Sequence, residues 1–312
     1  MEVVVVTGAS SGVGRASALA FARAGASLVL VSRSEPALRE VAAECRAFGA
    51  PVRVVPADVT RAESLAPVVD AFGRVDVWVH TAAVMAYGRF EDVPAEVFDQ
   101  VVTTDLLGAA NVARVALAHF RRQRAGTLIF GGSLLGTVVT PYTSSYVTSK
   151  WGLRALVRAL RLETRDAPGI QVCLVSPGAV DTPIYRNAAN FAGRIGRPPP
   201  PIDTPEKVAA AIVRCARRPR ATMTVGLANR LIQFGFVATP ALYDVLVGPL
   251  MRVAGLSREP VEPHEGNVFA PTPPAAEAVR GGRKRPWAAP TGAAVAGLAL
   301  AGAITARRHL SR

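Results

Sequence analysis

The chain has 312 residues, of which 50% are hydrophobic and 19% charged, so it can bury a substantial core and global disorder is excluded. It carries 36 basic and 23 acidic residues, a net charge of +13, which raises the question of a nucleic-acid or membrane-surface partner. The three cysteines, Cys45, Cys173 and Cys215, match neither a zinc module nor a disulfide framework. Their spacing predicts no bound metal and favours a reducing compartment, the cytoplasm.

Apolar runs that are typical of buried strands alternate with helical stretches along most of the chain. The run at 3–6 is four valines followed by Thr7 and Gly8, which indicates a strand buried on both faces and not an export signal. Further strands are predicted at 27–31, 52–56, 75–79, 127–130 and 170–175, and helices at 14–24, 35–48 and 62–72. This alternation predicts an α/β fold of the Rossmann type, a doubly wound parallel sheet in a single domain, 1–256, with a C-terminal extension.

The turn after the first predicted strand is rich in glycine. Residues 7–14 read Thr-Gly-Ala-Ser-Ser-Gly-Val-Gly, and the candidates for phosphate binding are Gly8, Ser10, Ser11, Gly12, Val13 and Gly14. Glycines let the backbone turn tightly and approach a pyrophosphate, while the following helix offers free N–H groups and a positive dipole end. The position between a strand and a helix favours a dinucleotide-binding turn over a tight turn without a ligand.

The second predicted strand ends without the acidic residue that would bind the ribose 2′-hydroxyl of NAD. Arg33 stands there between Ser32 and Ser34, and its guanidinium can bind a 2′-phosphate through two parallel hydrogen bonds. This pattern predicts NADP as the cofactor in preference to NAD. The alternative is an ordinary solvated arginine in an arginine-rich chain.

Tyr146 and Lys150 are four residues apart in a helical stretch, so their side chains share one helix face. A nearby ammonium favours phenolate over phenol and lowers the pKa of a tyrosine, which can then exchange a proton with a substrate oxygen. Ser133 follows the predicted strand at 127–130, where its hydroxyl could bond the same oxygen. The Tyr-x-x-x-Lys spacing alone also fits a surface pair; the order of glycine-rich turn, serine, tyrosine and lysine points to catalysis.

In this order the motifs resemble those of the short-chain dehydrogenases/reductases, over residues 3–225. The resemblance implies that Ser133 orients a carbonyl, that Tyr146 transfers the proton, and that Lys150 also binds the nicotinamide ribose. It implies a homo-oligomer that assembles through the helices near 107–120 and 150–162. It also implies further cofactor contacts, at Asp58 and Val59 beside the adenine, at Ala82, and beside the nicotinamide carboxamide at Pro177, Gly178, Val180 and Thr182.

Two positions depart from the family pattern. His80-Thr81-Ala82-Ala83 stands where the family usually has Asn-Asn-Ala-Gly, and we interpret His80 as a structural histidine and not a catalytic one. Asp105 stands where the family has an asparagine that supports a proton-relay water. An ionised aspartate accepts hydrogen bonds but cannot donate them, and its charge would either strengthen or compete with the Tyr146–Lys150 pair.

The C-terminal part differs in composition. Residues 257–286 are rich in proline, glycine and charge and are predicted to form a linker. Residues 287–306 are an uncharged run that, as a helix, is long enough to cross a bilayer; it is interpreted either as a membrane-associated helix or as an alanine-rich helix of a soluble protein. A basic tail follows at 307–312. No nucleic-acid recognition module occurs, so the charge does not indicate a nucleic-acid partner.

These observations predict an NADP-dependent oxidoreductase that interconverts a carbonyl and an alcohol by hydride transfer. The segment 183–205 holds apolar residues and is predicted to form a mobile lid. The apolar stretch 231–256 is interpreted either as the entry to a substrate tunnel or a membrane-contacting surface, or as packing against the core or a dimer partner. Together the two segments favour a hydrophobic small-molecule substrate. The alternative is a cofactor-binding but non-catalytic sensor or scaffold of the same fold.

Overall fold

The computed structural model describes residues 1–226, 228–273 and 276–282. Within these ranges the central sheet has seven strands, which are β1 (Val3–Thr7), β2 (Ser27–Ser32), β3 (Val52–Pro56), β4 (Val77–His80), β5 (Gly126–Gly131), β6 (Ile170–Pro177) and β7 (Thr222–Val225). Their spatial order is β7-β6-β5-β4-β1-β2-β3, and all neighbours are parallel. The predicted Rossmann-type doubly wound sheet is therefore confirmed. The chain runs from β1 outward to β2 and β3 and then returns to β4 on the other side of β1, so a crevice opens at the carboxyl ends of β1 and β4.

Helices cover both faces of the sheet. The helices of the described residues are α1 (Gly12–Arg23), α2 (Glu35–Arg46), α3 (Ala66–Asp70), α4 (Ala95–Val102), α5 (Gly108–Gln123), α6 (Ser144–Glu163), α7 (Ile184–Asn187), α8 (Pro205–Arg217), α9 (Ala228–Ala238) and α10 (Pro240–Leu250). A π-helical turn, Thr103–Leu107, joins α4 to α5. Helices α1, α2 and α8 pack on one face, whereas α3, α5 and α6 pack on the other.

The first strand shows why a strand of this sheet is apolar without interruption. Val4 and Val6 belong to the core on the α1 side, while Val5 belongs to the core on the α5 side. All three valines are fully buried. Successive side chains of a strand point to opposite faces, so a strand that is covered on both faces requires apolar residues at every position.

Short elements build the rim around the carboxyl ends of the strands. The pair Ala86–Tyr87 and Ala189–Asn190 is parallel, as is the pair Ala179–Val180 and Ile202–Asp203. Leu256–Pro260 is a strand antiparallel to Arg194–Gly196. The remaining short helical turns lie at Ala62–Leu65, Phe90–Asp92, Leu134–Gly136 and Met251–Gly255.

One helical stretch among the described residues, Ala95–Gln123, is apolar enough and long enough to cross a membrane, with a mean hydropathy of 1.3. It contributes Val112, Ala116 and Phe120 to the core against the sheet, which accounts for its apolar character. The predicted run 287–306 and the tail 307–312 lie outside the described residues.

The glycine-rich turn depends on a close approach between β1 and β4, and this approach can be tested with two glycines of the same backbone conformation. Gly8 and Gly25 have φ of +81° and +82°; a Cβ on Gly8 would lie 2.6 Å from the Ala82 nitrogen, whereas nothing lies within 4 Å of one on Gly25. Gly25→Ala should lower the free energy of unfolding by about 1–2 kcal/mol through the backbone alone. Gly8→Ala should lower it further, because the Ala82 backbone must also move. Urea unfolding measures both variants, and equal losses would contradict the close approach.

Candidate active site

A cavity of about 560 Å³ lies at the carboxyl ends of the strands, a volume typical of small-molecule sites. Its lining includes segments that follow β1 to β6 as well as parts of α6, α9 and α10. Ser133 and all the residues predicted to bind the cofactor line it, namely Gly8, Ser10, Ser11, Gly12, Val13, Gly14, Ser32, Arg33, Asp58, Val59, Ala82, Tyr146, Lys150, Pro177, Gly178, Val180 and Thr182. Asp105 lies behind Lys150 and does not appear in the lining.

The glycine-rich turn passes directly under the start of α1. The Gly8 N–H donates to the Val31 carbonyl at 2.8 Å, and a Cβ on Gly14 would overlap the Gly8 carbonyl oxygen. The side chain of Ser11, the residue before α1, makes no capping hydrogen bond. The turn therefore offers the N-terminus of α1 and a free hydroxyl to the cavity, which suits a phosphate group.

Arg33 lies at the end of the cavity beside the carboxyl end of β2. Its Nη2 donates to the Asn267 carbonyl at 2.7 Å, and its Nη1 donates to the carbonyls of Val268 and Phe269 at 3.2 and 3.3 Å. Burial lowers the pKa of Arg33, while the charges of Asp58 and Glu277 raise it. Arg33 is thus both a cavity residue and an anchor for a distant part of the chain.

Sequence reasoning missed the residues at 267–277 that line the cavity, Asn267, Pro271 and Glu277. They lie in the stretch that was predicted to be a linker from its proline and glycine content. The buried Val268 was the available signal of packing, but a single apolar residue has no periodicity that could reveal it.

Tyr146 and Lys150 face the cavity from α6 and are 8% and 4% exposed. The Lys150 Nζ lies 5.1 Å from the centre of the Tyr146 ring. Ser133 comes directly after β5, and its Oγ accepts a hydrogen bond from the Leu135 N–H at 3.1 Å. A Cβ on Gly136 would lie 2.7 Å from the Lys150 carbonyl oxygen, so a glycine is needed where the loop carrying Ser133 meets α6.

Asp105 lies in the π-helical turn and is completely buried. Its Oδ2 is 3.3 Å from the Lys150 Nζ, and its Oδ1 accepts a hydrogen bond from the Val84 N–H at 2.8 Å. Burial raises the pKa of Asp105 although Lys150 opposes this. Burial lowers the pKa of Lys150, but Asp105 and Tyr146 raise it more. Each charge therefore makes the burial of the other tolerable.

The environment of Tyr146 differs from the sequence expectation. Burial raises the pKa of Tyr146, Lys150 lowers it, Asp105 raises it and a hydrogen bond with Ser133 lowers it, with a net rise above the ordinary value. The ammonium acts in the expected direction, but desolvation and the buried carboxylate outweigh it. In this arrangement Tyr146 retains its proton at neutral pH and is suited to donate it.

His80 ends β4 and is 2% exposed. Its Nδ1 lies 2.8 Å from the Thr7 Oγ1, and its ring packs edge-on against Phe130. Burial and the charge of Lys150 lower the pKa of His80 to about 3. The imidazole is therefore neutral at physiological pH and packs as a core residue between β1 and β5.

The end of the cavity beyond Tyr146 is apolar. Its lining there includes Leu135, Ile184, Tyr185, Leu242 and Leu246. On the outer side of α9 and α10, large apolar side chains are exposed, with Leu231, Phe234 and Val237 each above 70%. The predicted lid, 183–205, and the apolar stretch 231–256 thus both contribute to the wall of the cavity.

Comparison with known proteins gives consistent matches. The sequence profile of a family described as short chain dehydrogenase matches residues 2–192. An uncharacterized oxidoreductase of Bacillus subtilis, YxnA, is 33% identical over 279 residues, which cover 86% of this chain and 77% of the relative. A sepiapterin reductase of Chlorobaculum tepidum is 32% identical over 233 residues, which cover 71% and 93%.

A similar solved structure is the alcohol dehydrogenase from the archaeon Thermococcus sibiricus complexed with 5-hydroxy-NADP. It has a TM-score of 0.62 and 31% sequence identity, and the match covers 72% of this chain and 95% of that chain. The likeness therefore extends over nearly the whole of that protein.

The charge balance around Tyr146 can be tested without an activity measurement. Asp105→Asn removes the carboxylate that raises the pKa of Tyr146, so that pKa should fall; NMR titration of ring-labelled tyrosine measures it. Asp181→Asn is the matched control, because Asp181 acts on Tyr185 and not on Tyr146. An unchanged pKa of Tyr146 in Asp105→Asn would show that the carboxylate does not act on the phenol, whereas a higher pKa would show that Lys150 has lost its charge together with its partner.

Proposed function

Because this chain belongs to the short-chain dehydrogenase/reductase family and is an NAD(P)-dependent oxidoreductase acting on CH–OH or C=O groups of small molecules, we propose that it uses NADP to interconvert a carbonyl and an alcohol on a hydrophobic substrate. The motif-based resemblance to this family is confirmed. The observation that carries the finer proposal is the single cavity that joins the glycine-rich turn and Arg33 to Ser133, Tyr146 and Lys150. This arrangement favours the enzyme over the non-catalytic scaffold.

The residues of the cavity fit a 2′-phosphorylated dinucleotide. The N-terminus of α1 would bind the pyrophosphate, and Arg33 with Ser32 and Ser34 would bind the 2′-phosphate. Asp58 holds its own loop, since its Oδ1 accepts from the N–H and the Oγ1 of Thr60 at 2.9 Å. When bound, the cofactor supplies or accepts the hydride. The adenine would lie beside Asp58 and Val59, and the nicotinamide end beside Ala82, Pro177, Gly178, Val180 and Thr182.

The chain itself supplies the proton and holds the reacting oxygen. The Ser133 Oγ accepts from the Leu135 N–H, and its O–H would donate to the substrate oxygen. In the reductive direction Tyr146 donates its phenolic proton to that oxygen. Lys150 then stabilises the phenolate that remains, while Asp105 keeps the ammonium charged inside the core. The relay water of the family is not part of this proposal, because an ionised Asp105 has no donor for it.

The substrate end of the cavity supports a hydrophobic substrate. Three residues that line the cavity beyond Tyr146 carry no charge, namely Ile184, Leu242 and Leu246. An apolar carbonyl compound would gain from contact with them, whereas a charged one would lose hydration without a partner.

For assembly and location the proposal keeps the sequence expectations. Leu107, Trp151 and Leu162 are 52%, 40% and 53% exposed, on the helices through which the family resemblance implies contacts. We propose that this face forms a homo-oligomer. The proposal also retains one catalytic domain at 1–256 and a cytoplasmic location; the membrane interpretation concerns residues outside the described part of the chain.

Tyr146→Phe tests the catalytic proposal. The variant should lose carbonyl reduction by about 10²–10⁴-fold, because it lacks the proton donor. NADPH binding, followed by nucleotide fluorescence, should remain close to that of the parent chain. Tyr142→Phe is the matched control, since Tyr142 packs in the same apolar cluster but lies outside the cavity lining. Substantial residual turnover in Tyr146→Phe would favour a different proton donor or the scaffold alternative.

Arg33→Ala tests the choice of cofactor. Loss of charge-assisted hydrogen bonds to a 2′-phosphate should weaken NADPH by about tenfold to a hundredfold. The affinity for NADH, measured by equilibrium titration, should change far less. Arg39→Ala removes the same charge from the surface of α2, where Arg39 is 74% exposed, and should leave both affinities unchanged. Equal losses for the two nucleotides in Arg33→Ala would remove the reason to prefer NADP.

A further inference from the structure

The segment formed by residues 264–273 and 276–281, here called the strap, lies across the end of the cavity that carries Arg33 and the glycine-rich turn. It begins at an isolated antiparallel bridge, in which the N–H groups of Asn190 and His264 donate to each other's carbonyls at 2.7 and 3.1 Å. The Asn267 N–H donates to the Asn187 carbonyl at 2.8 Å. Gly266 has φ of +56° and packs on the Asn187–Ala188 backbone, so the chain fits closely here.

The middle of the strap is held by one apolar side chain and one charged one. Val268 is fully buried in a cluster with Val97, Val101 and Ala189. Arg33 donates to three successive strap carbonyls, those of residues 267–269. Arg33 is partly buried, so a guanidinium that gives up these carbonyls must find other acceptors.

The last part of the strap is tied to the glycine-rich turn. The Gly12 N–H donates to the Ala278 carbonyl at 2.8 Å, and the Arg15 Nη1 donates to the Glu277 carbonyl at 2.6 Å. The Gly281 N–H donates to the Asp181 carbonyl at 3.2 Å. These contacts bring the strap to the N-terminus of α1, where a phosphate would bind.

The strap therefore occupies donors that the proposed function assigns to the cofactor. Arg33 and the Gly12 N–H donate hydrogen bonds to strap carbonyls in this structure. In the proposed function both would donate to a 2′-phosphorylated dinucleotide instead. The Glu277 carboxylate, which accepts from the Thr272 Oγ1 at 3.1 Å, is 7% exposed and belongs to a residue of the cavity lining. It would repel phosphates. Asn267 also lines the cavity, and its buried Oδ1 has no hydrogen-bond partner among the described residues.

We propose that the strap is a latch on the adenosine half of the cofactor groove. The latch opens to admit the dinucleotide, and the 2′-phosphate competes with three strap carbonyls for Arg33. The inference rests on the proposed function, since it takes NADP as the cofactor. A site that is accessible only in its open state binds no faster than it opens. NADPH association should therefore reach a plateau at high nucleotide concentration, and variants that loosen the strap should raise the plateau.

Stopped-flow measurement of NADPH fluorescence on the full chain tests this latch. Val268→Ala removes apolar contact that holds the strap closed and should raise the plateau rate by about tenfold. Val112→Ala is the matched control, because it makes the same change at a fully buried valine of a different core cluster that contains no strap residue, and it should leave the rate near that of the parent chain. Thr272→Val is a second strap variant that removes the hydrogen bonds with Glu277 and Asn187; it should also raise the rate.

A further measurement separates the two roles of Arg33. Arg33→Ala releases the strap carbonyls, so NADH, which has no 2′-phosphate to lose, should associate and dissociate several times faster than with the parent chain. NADH kinetics that are unchanged or slower in this variant would contradict the latch. NADPH association without a plateau would also contradict the latch, as would a plateau rate that is the same in Thr272→Val and Val268→Ala as in the parent chain. A chain that binds neither nucleotide at equilibrium would instead contradict the proposed function itself.

Discussion

A lysine side chain can remain charged inside a protein core only if an opposite charge is buried with it. Lys150 meets this condition through Asp105, 3.3 Å away, and much of the site follows from that pair. The pair joins α6 to the π-helical turn, and the hydrogen bond from the Val84 N–H to Asp105 adds the loop after β4. Three separate elements thus meet at one ion pair. The proton on Tyr146 depends on the same balance, because the ammonium and the carboxylate act on its pKa in opposite directions.

Much of the fold was predictable because the sheet is covered on both faces. The valines at 3–6 predicted a strand buried on both faces, and the alternation of Val4, Val5 and Val6 between two cores confirms this prediction. The placement of the site was predictable for a related reason: parallel strands bring their carboxyl ends to one edge. The glycine-rich turn, Ser133 and the start of α6 follow different strands, yet all reach one cavity. Their catalytic and binding roles remain proposals.

Other features had no signal in the sequence. The net effect on Tyr146 depends on desolvation, which is a property of the packed site and not of residue spacing. The strap has no periodic pattern, because it is held mainly by backbone carbonyls, and any residue type supplies a carbonyl. Arg33 illustrates the difficulty. Its position after β2 suggested a phosphate ligand, but only the folded chain shows that the carbonyls of residues 267–269 accept hydrogen bonds from the same guanidinium.

The π-helical turn Thr103–Leu107 makes the length of this part of the chain as important as its composition. A π turn contains one residue more than an α turn, and each residue of a helix advances it by about 100° around the axis. Deletion of one residue here would give a regular helix but would rotate Asp105 away from Lys150. A substitution can preserve the charge balance of the site, whereas this single deletion cannot. Insertions and deletions in the α4–α5 junction are therefore expected to be tolerated far less than exchanges of residue type.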